Sequence, residues 1–132
     1  MTTKFRAWHK TWEEMGKVKR IRFDDEGNIT TIFVRGKTSG SNAYFKDVEL
    51  MQSTGLKDKN GKEIFEGDVV RQVRTQPTTE NEVIIGVVTM LEGAWLIMND
   101  CEKLASDLWS ETDENEIIGN IYENKDILED KE

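Results

Sequence analysis

Apolar and polar residues alternate along much of this chain, which is the pattern of β-strands buried on one face. Ile21 and Phe23 alternate with Arg20 and Arg22 in this way, and residues 29–34 form a second strand-like run. The acidic, glycine-containing segment 24–28 between them has the composition of a hairpin loop. These runs predict the first hairpin. The small polar residues of 37–42 predict a loop, followed by a third strand or short extended element over 44–51.

The second half of the chain has the same β character. The dipeptide Glu92-Gly93 predicts a tight turn between two strands. Residues 103–109 are predicted to form one helical turn, with Leu104, Leu108 and Trp109 on its apolar side. Four further strands are predicted, at residues 69–73, 82–91, 94–98 and 117–122. Four or five short strands within about 80 residues suit a small rolled barrel.

The middle of the chain has the most fully specified turn chemistry. Asn60-Gly61 is the strongest dipeptide for a type I′ turn, in which both central residues need a positive φ. Gly67 is predicted to form a bulge or turn at the start of the strand that follows. We therefore predict a hinge here, and it divides the chain into residues 1–54 and 55–132.

The first fifteen residues are ambiguous by pattern alone. Phe5, Trp8, Trp12 and Met15 recur at spacings of three, four and three, which would place them on one face of a helix. A strand followed by a turn is the alternative, and periodicity does not decide between the two.

Three segments of the sequence resemble the YopX family, a group of small proteins encoded mainly by bacteriophages and prophages. The segments are residues 4–8 (KFRAW), 51–68 (MQSTGLKDKNGKEIFEGD) and 116–124 (EIIGNIYEN). They occur in the family's order, so the resemblance covers essentially the whole chain. It implies a phage origin and a protein whose molecular activity is not established.

The resemblance also implies an architecture. It favours a strand that begins near Phe5 and leads into a turn over residues 13–16. It further implies a small β-rich lobe in residues 1–54, followed by an SH3-like β-barrel lobe in residues 55–132. The predicted fold class is therefore mainly β, in two lobes.

Composition and charge limit the partners. Of the 132 residues, 36% are hydrophobic and 33% are charged, as in a soluble protein. No apolar run approaches the roughly 18 residues of a membrane span, so we expect no membrane and a location in the host cytoplasm. Residues 1–54 contain ten Lys and Arg against seven Asp and Glu, whereas residues 55–132 contain eight against nineteen. The acidic second lobe would repel a polyanion, which disfavours duplex nucleic acid.

Candidate catalytic and metal-binding groups are few. Cys101 is the only cysteine and His9, beside Trp8, is the only histidine, so we interpret the first as an inert thiol and the second as part of an aromatic cluster. The acidic residues around Gly67 are interpreted as turn caps, because their spacing does not match a Ca²⁺ loop. The glycines form no phosphate-binding motif. We therefore predict a protein that is not an enzyme and binds no cofactor or metal.

Aromatic residues are the remaining candidates for function. Trp8, Trp12, Phe33 and Trp109 are candidate interface residues, because large aromatics supply most of the energy of protein interfaces. The leading hypothesis is a homo-oligomeric, non-enzymatic binding or assembly protein, with a possible host or phage protein as partner. One alternative is an acidic inhibitor that mimics nucleic-acid charge against a host protein. A second is a single-stranded nucleic-acid-binding module that uses Arg20 and Arg22.

Overall fold

A computed structural model shows that the described part of the protein is mainly β. The structure describes residues 4–74, 82–100, 103–109 and 113–124. Its elements are β1 (Phe5–His9), β2 (Glu14–Phe23), β3 (Ile29–Arg35), β4 (Gly40–Tyr44), a 3-10 helix (Phe45–Asp47), β5 (Val48–Lys57), β6 (Glu63–Phe65), β7 (Asp68–Arg74), β8 (Glu82–Leu91), β9 (Ala94–Asn99), β10 (Leu104–Asp107) and β11 (Asp113–Asn120). The predicted mainly β class is confirmed. No helix within these described ranges has the length and apolar character that crossing a membrane requires.

The chain divides into two compact units, Met1–Ser53 and Thr54–Glu132. One sheet has the strand order β4-β3-β2-β1-β5-β6, and the division falls within β5. The second sheet, of five strands in the order β10-β9-β8-β7-β11, lies wholly in the second unit. All strand pairs with a recorded register are antiparallel.

The core of the first unit lies on one face of its sheet. Period-2 alternation places Ile32 and Val34 of β3 on that face, and both are fully buried. Gly16 of β2 lies against Val34, and a Cβ built at this glycine would stand 2.5 Å from Val34 Cγ1. A side chain at position 16 would therefore displace the neighbouring strand. The buried members of this core are Ala7, Ile32, Val34, Ala43 and Val48.

The amino-terminal strand predicted near Phe5 is present as β1, but the following turn lies earlier than expected. Residues 14–16 belong to β2, and the chain reverses over residues 10–13. Glu13 has a φ of 54°, and its N–H donates to the carbonyl of His9 at 2.7 Å. The turn position at 13–16 was wrong because the reversal uses a left-handed glutamate and not a glycine.

The second unit has an apolar core and a sheet that is not closed. Its buried residues Ile64, Val70, Val88, Ile97 and Leu108 come from β6 to β9 and the segment after β10. Within the described residues, β10 and β11 are the outer strands of the sheet and do not pair with each other. The SH3-like barrel implied by the resemblance is therefore not confirmed, because closure would require a backbone ladder between these two strands.

Hydrogen bonds from Gln72 of β7 reach both outer strands. Gln72 is fully buried, and its Nε2 donates to the carbonyl of Asp107 at 3.0 Å and to Oδ1 of Asn115 at 3.0 Å. The hydroxyl of Ser106 donates to Gln72 Oε1 at 2.9 Å. One buried amide therefore links β10 to β7 and β11, which are already paired with each other through the backbone.

The helical turn predicted for residues 103–109 was wrong. Leu104–Asp107 is a strand that pairs with β9 from Asn99 to Leu96. Leu108 is buried, whereas Leu104 and Trp109 are exposed, so the three do not share one apolar side. Pairing with β9 prevails over a weak helical periodicity of only seven residues. The predicted loop at 37–42 also ends early, since β4 begins at Gly40.

Candidate binding surface

The face of β2, β3 and β4 that points away from the core carries cations and aromatic rings. Residues directly opposite each other in an antiparallel pair project to the same side of a sheet. We call residues that lie opposite one another across β2, β3 and β4 a row. Rows that are two residues apart along β3 project to the same face. The rows are Lys17–Arg35–Gly40, Arg20–Phe33–Asn42 and Arg22–Thr31–Tyr44. We call this surface the basic face, and its four cations are Lys17, Arg20, Arg22 and Arg35.

A bulge in β2 brings these cations together. The pairing of β2 with β3 shifts between Val18 and Arg20. Strict alternation along β2 would place Lys17 on one face and Arg20 and Arg22 on the other, because they are an odd number of residues apart. The extra residue of the bulge returns Arg20 to the face of Lys17. Sequence reasoning identified Arg20 and Arg22 but had no signal for the bulge.

Phe33 lies between a cation and a glycine at the centre of the basic face. The guanidinium carbon of Arg20 is 5.4 Å from the Phe33 ring centroid, within the range of a cation–π contact. A Cβ built at Gly40 would stand 2.8 Å from two ring carbons of Phe33, so the absent side chain leaves room for the ring against β4. Phe33 is half-buried and the neighbouring Tyr44 is 65% exposed. The face thus offers two planar groups, the Arg20 guanidinium, which lies over the Phe33 ring, and the exposed ring of Tyr44.

The basic face itself carries no carboxylate. From Lys17 to the end of β2, and throughout β3 and β4, the sequence contains no Asp or Glu. In the part of the chain that the structure describes, none of the four cations takes part in a salt bridge; Lys10–Glu49 and Lys59–Glu116 involve other residues. The surface can therefore attract anions, and its planar groups can stack against flat ligands.

Strand β4 is the outer strand of the first unit's sheet. Among the described residues it pairs with β3 only. Its sequence, Gly-Ser-Asn-Ala-Tyr, contains neither the charged residues nor the proline with which proteins protect sheet edges. Tyr44 is 65% exposed and Phe45, which follows it, is 44% exposed. By contrast, the outer strand β11 contains Asp113, Glu114 and Glu116. The edge of β4 is therefore open to pairing with another strand.

The predicted interface residues lie in different places. Phe33 is on the basic face, and Trp8 is half-buried on β1. Trp12 packs against the core of the first unit, and its ring stacks on His9 with centroids 4.0 Å apart and planes 8° apart. The prediction that His9 belongs to an aromatic cluster is thus confirmed, with Trp12 as its ring partner. Trp109 is 60% exposed in the second unit. An interface role for each of them stays a prediction.

The tight turn predicted at Asn60-Gly61 is present, but it is not of type I′. Gly61 has a φ of 85°, but Asn60 is not in the left-handed region. The Gly61 N–H donates to the Asp58 carbonyl at 3.0 Å, and the Asp58 N–H donates to the Lys62 carbonyl at 2.8 Å. This is the three-residue hairpin loop in which a left-handed glycine forms a bulge. The two consecutive positive φ values that a type I′ turn requires occur instead at Glu92 (52°) and Gly93 (84°).

Gly67 and the acidic residues near it have structural partners. Gly67 has a φ of 90°, and its N–H donates to the carbonyl of Val88 at 3.0 Å. The carboxylate of Asp68 accepts the N–H of Phe65 at 2.8 Å. Within the described ranges no three His, Cys, Asp or Glu side chains are grouped so that they could hold a metal ion. Cys101 lies outside the described residues.

Asp58 fixes the loop to the neighbouring strand. Its Oδ1 accepts the N–H groups of Asn60 and Lys62, each at 2.9 Å, and its Oδ2 accepts the N–H of Ile117 at 3.1 Å. Burial raises the pKa of this carboxyl, but the three backbone donors and the charge of Lys62 outweigh burial and hold the pKa below 3.8. The carboxylate is therefore the form that the folded unit requires.

These features define a small, all-β protein of two units, one of which presents a cationic and aromatic sheet face. The family model of the YopX protein matches residues 4–129, and the chain therefore belongs to the YopX family. A crystal structure of protein EF1440 from Enterococcus faecalis is similar, with a TM-score of 0.62 and 29% identity over 97% of this chain and 99% of that one. The protein yopX from Bacillus subtilis is similar in fold, with a TM-score of 0.65, 18% identity and 97% of each chain covered. A search of curated proteins gave no match.

Proposed function

We propose that this protein is a non-enzymatic assembly protein that associates with a second copy of itself through the edge of β4. The observation that supports this proposal is the composition of that edge, which has no charge and no proline, ends in the exposed Tyr44 and is followed by the exposed Phe45. Natural proteins protect free edges against this kind of pairing. An edge left without protection is consistent with use as an interface.

The sequence of β4 suits antiparallel pairing with its own copy. Pairing centred on Asn42 places each Tyr44 opposite Gly40 of the second copy, because positions 40 and 44 are equally far from 42. A large ring opposite a glycine avoids a clash between side chains. Backbone hydrogen bonds along a five-residue strand, about 17 Å long, would fix the orientation of the two copies. Tyr44 and Phe45 supply apolar contact area, and a stable interface needs roughly 1,000 Å² in total.

Charge at the centre of the pair provides the test. In the proposed dimer Asn42 lies opposite itself, so Asn42→Lys and Asn42→Asp each place two like charges in contact, which weakens cross-strand pairing. Asn42 is exposed in the single chain, so neither change should unfold it. The matched control is Asn60→Lys, which adds the same charge at an exposed position of the second unit.

Sedimentation equilibrium at about 100 μM protein, well above the dissociation constant of a useful dimer, measures the outcome. We expect a dimer for the unmodified protein and for Asn60→Lys, and a monomer for both Asn42 variants. A monomeric unmodified protein, or a dimer that survives both changes at Asn42, would exclude this role of β4.

A further inference from the structure

We propose that the basic face binds single-stranded nucleic acid, with phosphates on its cations and bases stacked on its planar side chains. This inference concerns the face of the sheet, whereas self-association concerns the backbone edge of β4; Tyr44 belongs to both, and the cations belong to the face alone. It combines three observations: the four cations without salt bridges, the supported guanidinium of Arg20, and the open ring of Tyr44.

The cations and the planar groups are interleaved across the face. Arg22 and Tyr44 stand at the two ends of one row, and Arg20 covers Phe33 in the next. Neighbouring rows are about 7 Å apart, because they are two residues apart along β3. A single strand with unstacked bases can place phosphates near the cations of all three rows, and bases on the two planar groups, the Tyr44 ring and the Arg20 guanidinium. Single-strand-binding proteins combine these same two contacts.

A single strand fits this surface better than a duplex. In a duplex the bases are stacked on one another, so Tyr44 could not reach the face of a base. The basic face also has only four cations, and residues 55–132 carry eleven more acidic than basic residues, which disfavours binding that depends on charge alone. Stacking of bases on Tyr44 adds an attraction that does not depend on the net charge. A duplex cannot gain this attraction, because its bases are already stacked on one another.

An acidic protein segment is the competing ligand for the same cations. Carboxylates would pair with Arg22 and Arg35, but they would leave the exposed ring of Tyr44 without a flat partner. The presence of the ring beside the cations therefore favours bases over carboxylates. The same cations predict the salt dependence: with about four phosphate contacts to a single strand, affinity should fall about 50-fold between 50 and 200 mM salt.

Fluorescence anisotropy with a labelled twelve-residue oligothymidine tests the inference. We expect saturable binding at about 50 mM salt, no comparable binding to a duplex of equal length, and weaker binding to a glutamate peptide of equal charge. Reversing two cations, Arg22→Glu with Arg35→Glu, should weaken binding at least about tenfold and lower the salt slope by about 1.4. The control reverses Lys57 and Lys103, which are exposed in the second unit, and should retain most of the affinity.

Stacking is tested separately from charge. Tyr44→Ala should weaken binding about tenfold, whereas Tyr44→Phe should retain it, because a base stacks on either ring. Circular dichroism and a melting curve for each variant show that the fold is intact. Absence of binding at about 100 μM protein, equal losses in the two charge-reversed variants, or tighter binding of the glutamate peptide would overturn the inference. The variant with Arg22→Glu and Arg35→Glu should still dimerise, because neither residue lies on β4, so the two proposals can fail separately.

Discussion

The hairpin loops at residues 24–28 and 58–62 have the same internal hydrogen bonds in different surroundings. In the first unit, Asp24 Oδ1 accepts the N–H groups of Glu26 and Asn28, each at 2.9 Å. In the second unit, Asp58 accepts those of residues 60 and 62 at the same distance. The glycines at the fourth position, Gly27 and Gly61, have φ values of 89° and 85°. The sequence pattern Asp-x-x-Gly therefore produces one loop twice.

The surroundings of the two loops differ in burial and in outside contacts. Asp24 is exposed, whereas Asp58 is 6% exposed and also accepts the N–H of Ile117. In addition, the N–H of Lys59 donates to the carbonyl of Asn115 at 2.8 Å. The same contrast holds beyond the loops, because the second unit directs polar side chains such as Gln72 inward. The first unit directs its cations outward, and we infer that stability and binding are divided between the two units.

The largest expected effect is the loss of Gln72. Replacing it with Ala removes the amide that bonds to β10 and β11 and leaves Ser106 and Asn115 without their buried partner. We expect the free energy of unfolding to fall by about 3 kcal/mol. Asn42→Ala, at an exposed amide of the first unit, should change it by less than about 0.5 kcal/mol. Urea denaturation followed by tryptophan fluorescence measures both, and equal losses would contradict the contrast between the units.

The matched aspartates come next. Asp58→Ala removes a buried carboxylate that accepts three backbone N–H groups, so we expect a loss of about 2 kcal/mol in the free energy of unfolding. Asp24→Ala changes the same loop where water can replace the carboxylate, and its effect should be distinctly smaller. Urea midpoints of the two variants, measured under the same conditions, give the comparison. A larger shift for Asp24→Ala would show that the outside contacts of Asp58 do not matter.

The glycines of the two loops should behave alike. Gly27→Val and Gly61→Val each force a branched side chain into a left-handed backbone, while a Cβ at either position meets no atom within 4 Å. Each should therefore cost about 1–2 kcal/mol from backbone strain alone. Melting temperatures of the two variants test this expectation. An unchanged melting temperature for Gly61→Val would exclude the left-handed conformation at that position.

The smallest expected effect is the response to acid. Hydrogen bonds from Asn28 and its neighbours hold the pKa of Asp24 below 3.8, and the pKa of Asp58 is also lowered. A carboxyl whose pKa is lowered by folding stabilises the fold above its unfolded pKa, and this stabilisation is lost as pH falls through the folded pKa. Stability should therefore decrease below about pH 4. Asp58→Asn should flatten the decrease more than Asp24→Asn, and urea midpoints between pH 7 and 3 measure it.

Local turn chemistry was predictable from the sequence, and long-range pairing was not. The loop at 24–28 and the turn at Glu92-Gly93 were identified because their residues determine their backbone conformation. The type of turn at Asn60-Gly61 was wrong because Asp58 accepts the loop N–H groups and stabilises a different loop. The strand at 104–107 depends on β9, which a short periodicity does not reveal. For the basic face, Arg20 and Arg22 were identified from the sequence, but the bulge that places them on the same face as Lys17 leaves no local signal.

Hydrogen exchange of the outer strands tests most directly whether the first unit carries the binding surface. Backbone amides of β4 (Gly40–Tyr44) and of β11 (Asp113–Asn120) are compared in the same sample at about 5 and about 200 μM protein, because association protects the amides that it buries. We expect exchange in β4 to slow as the concentration rises, while exchange in β11 stays constant. Exchange in β4 that does not depend on concentration, or slowing confined to β11, would contradict the assignment of self-association to the first unit.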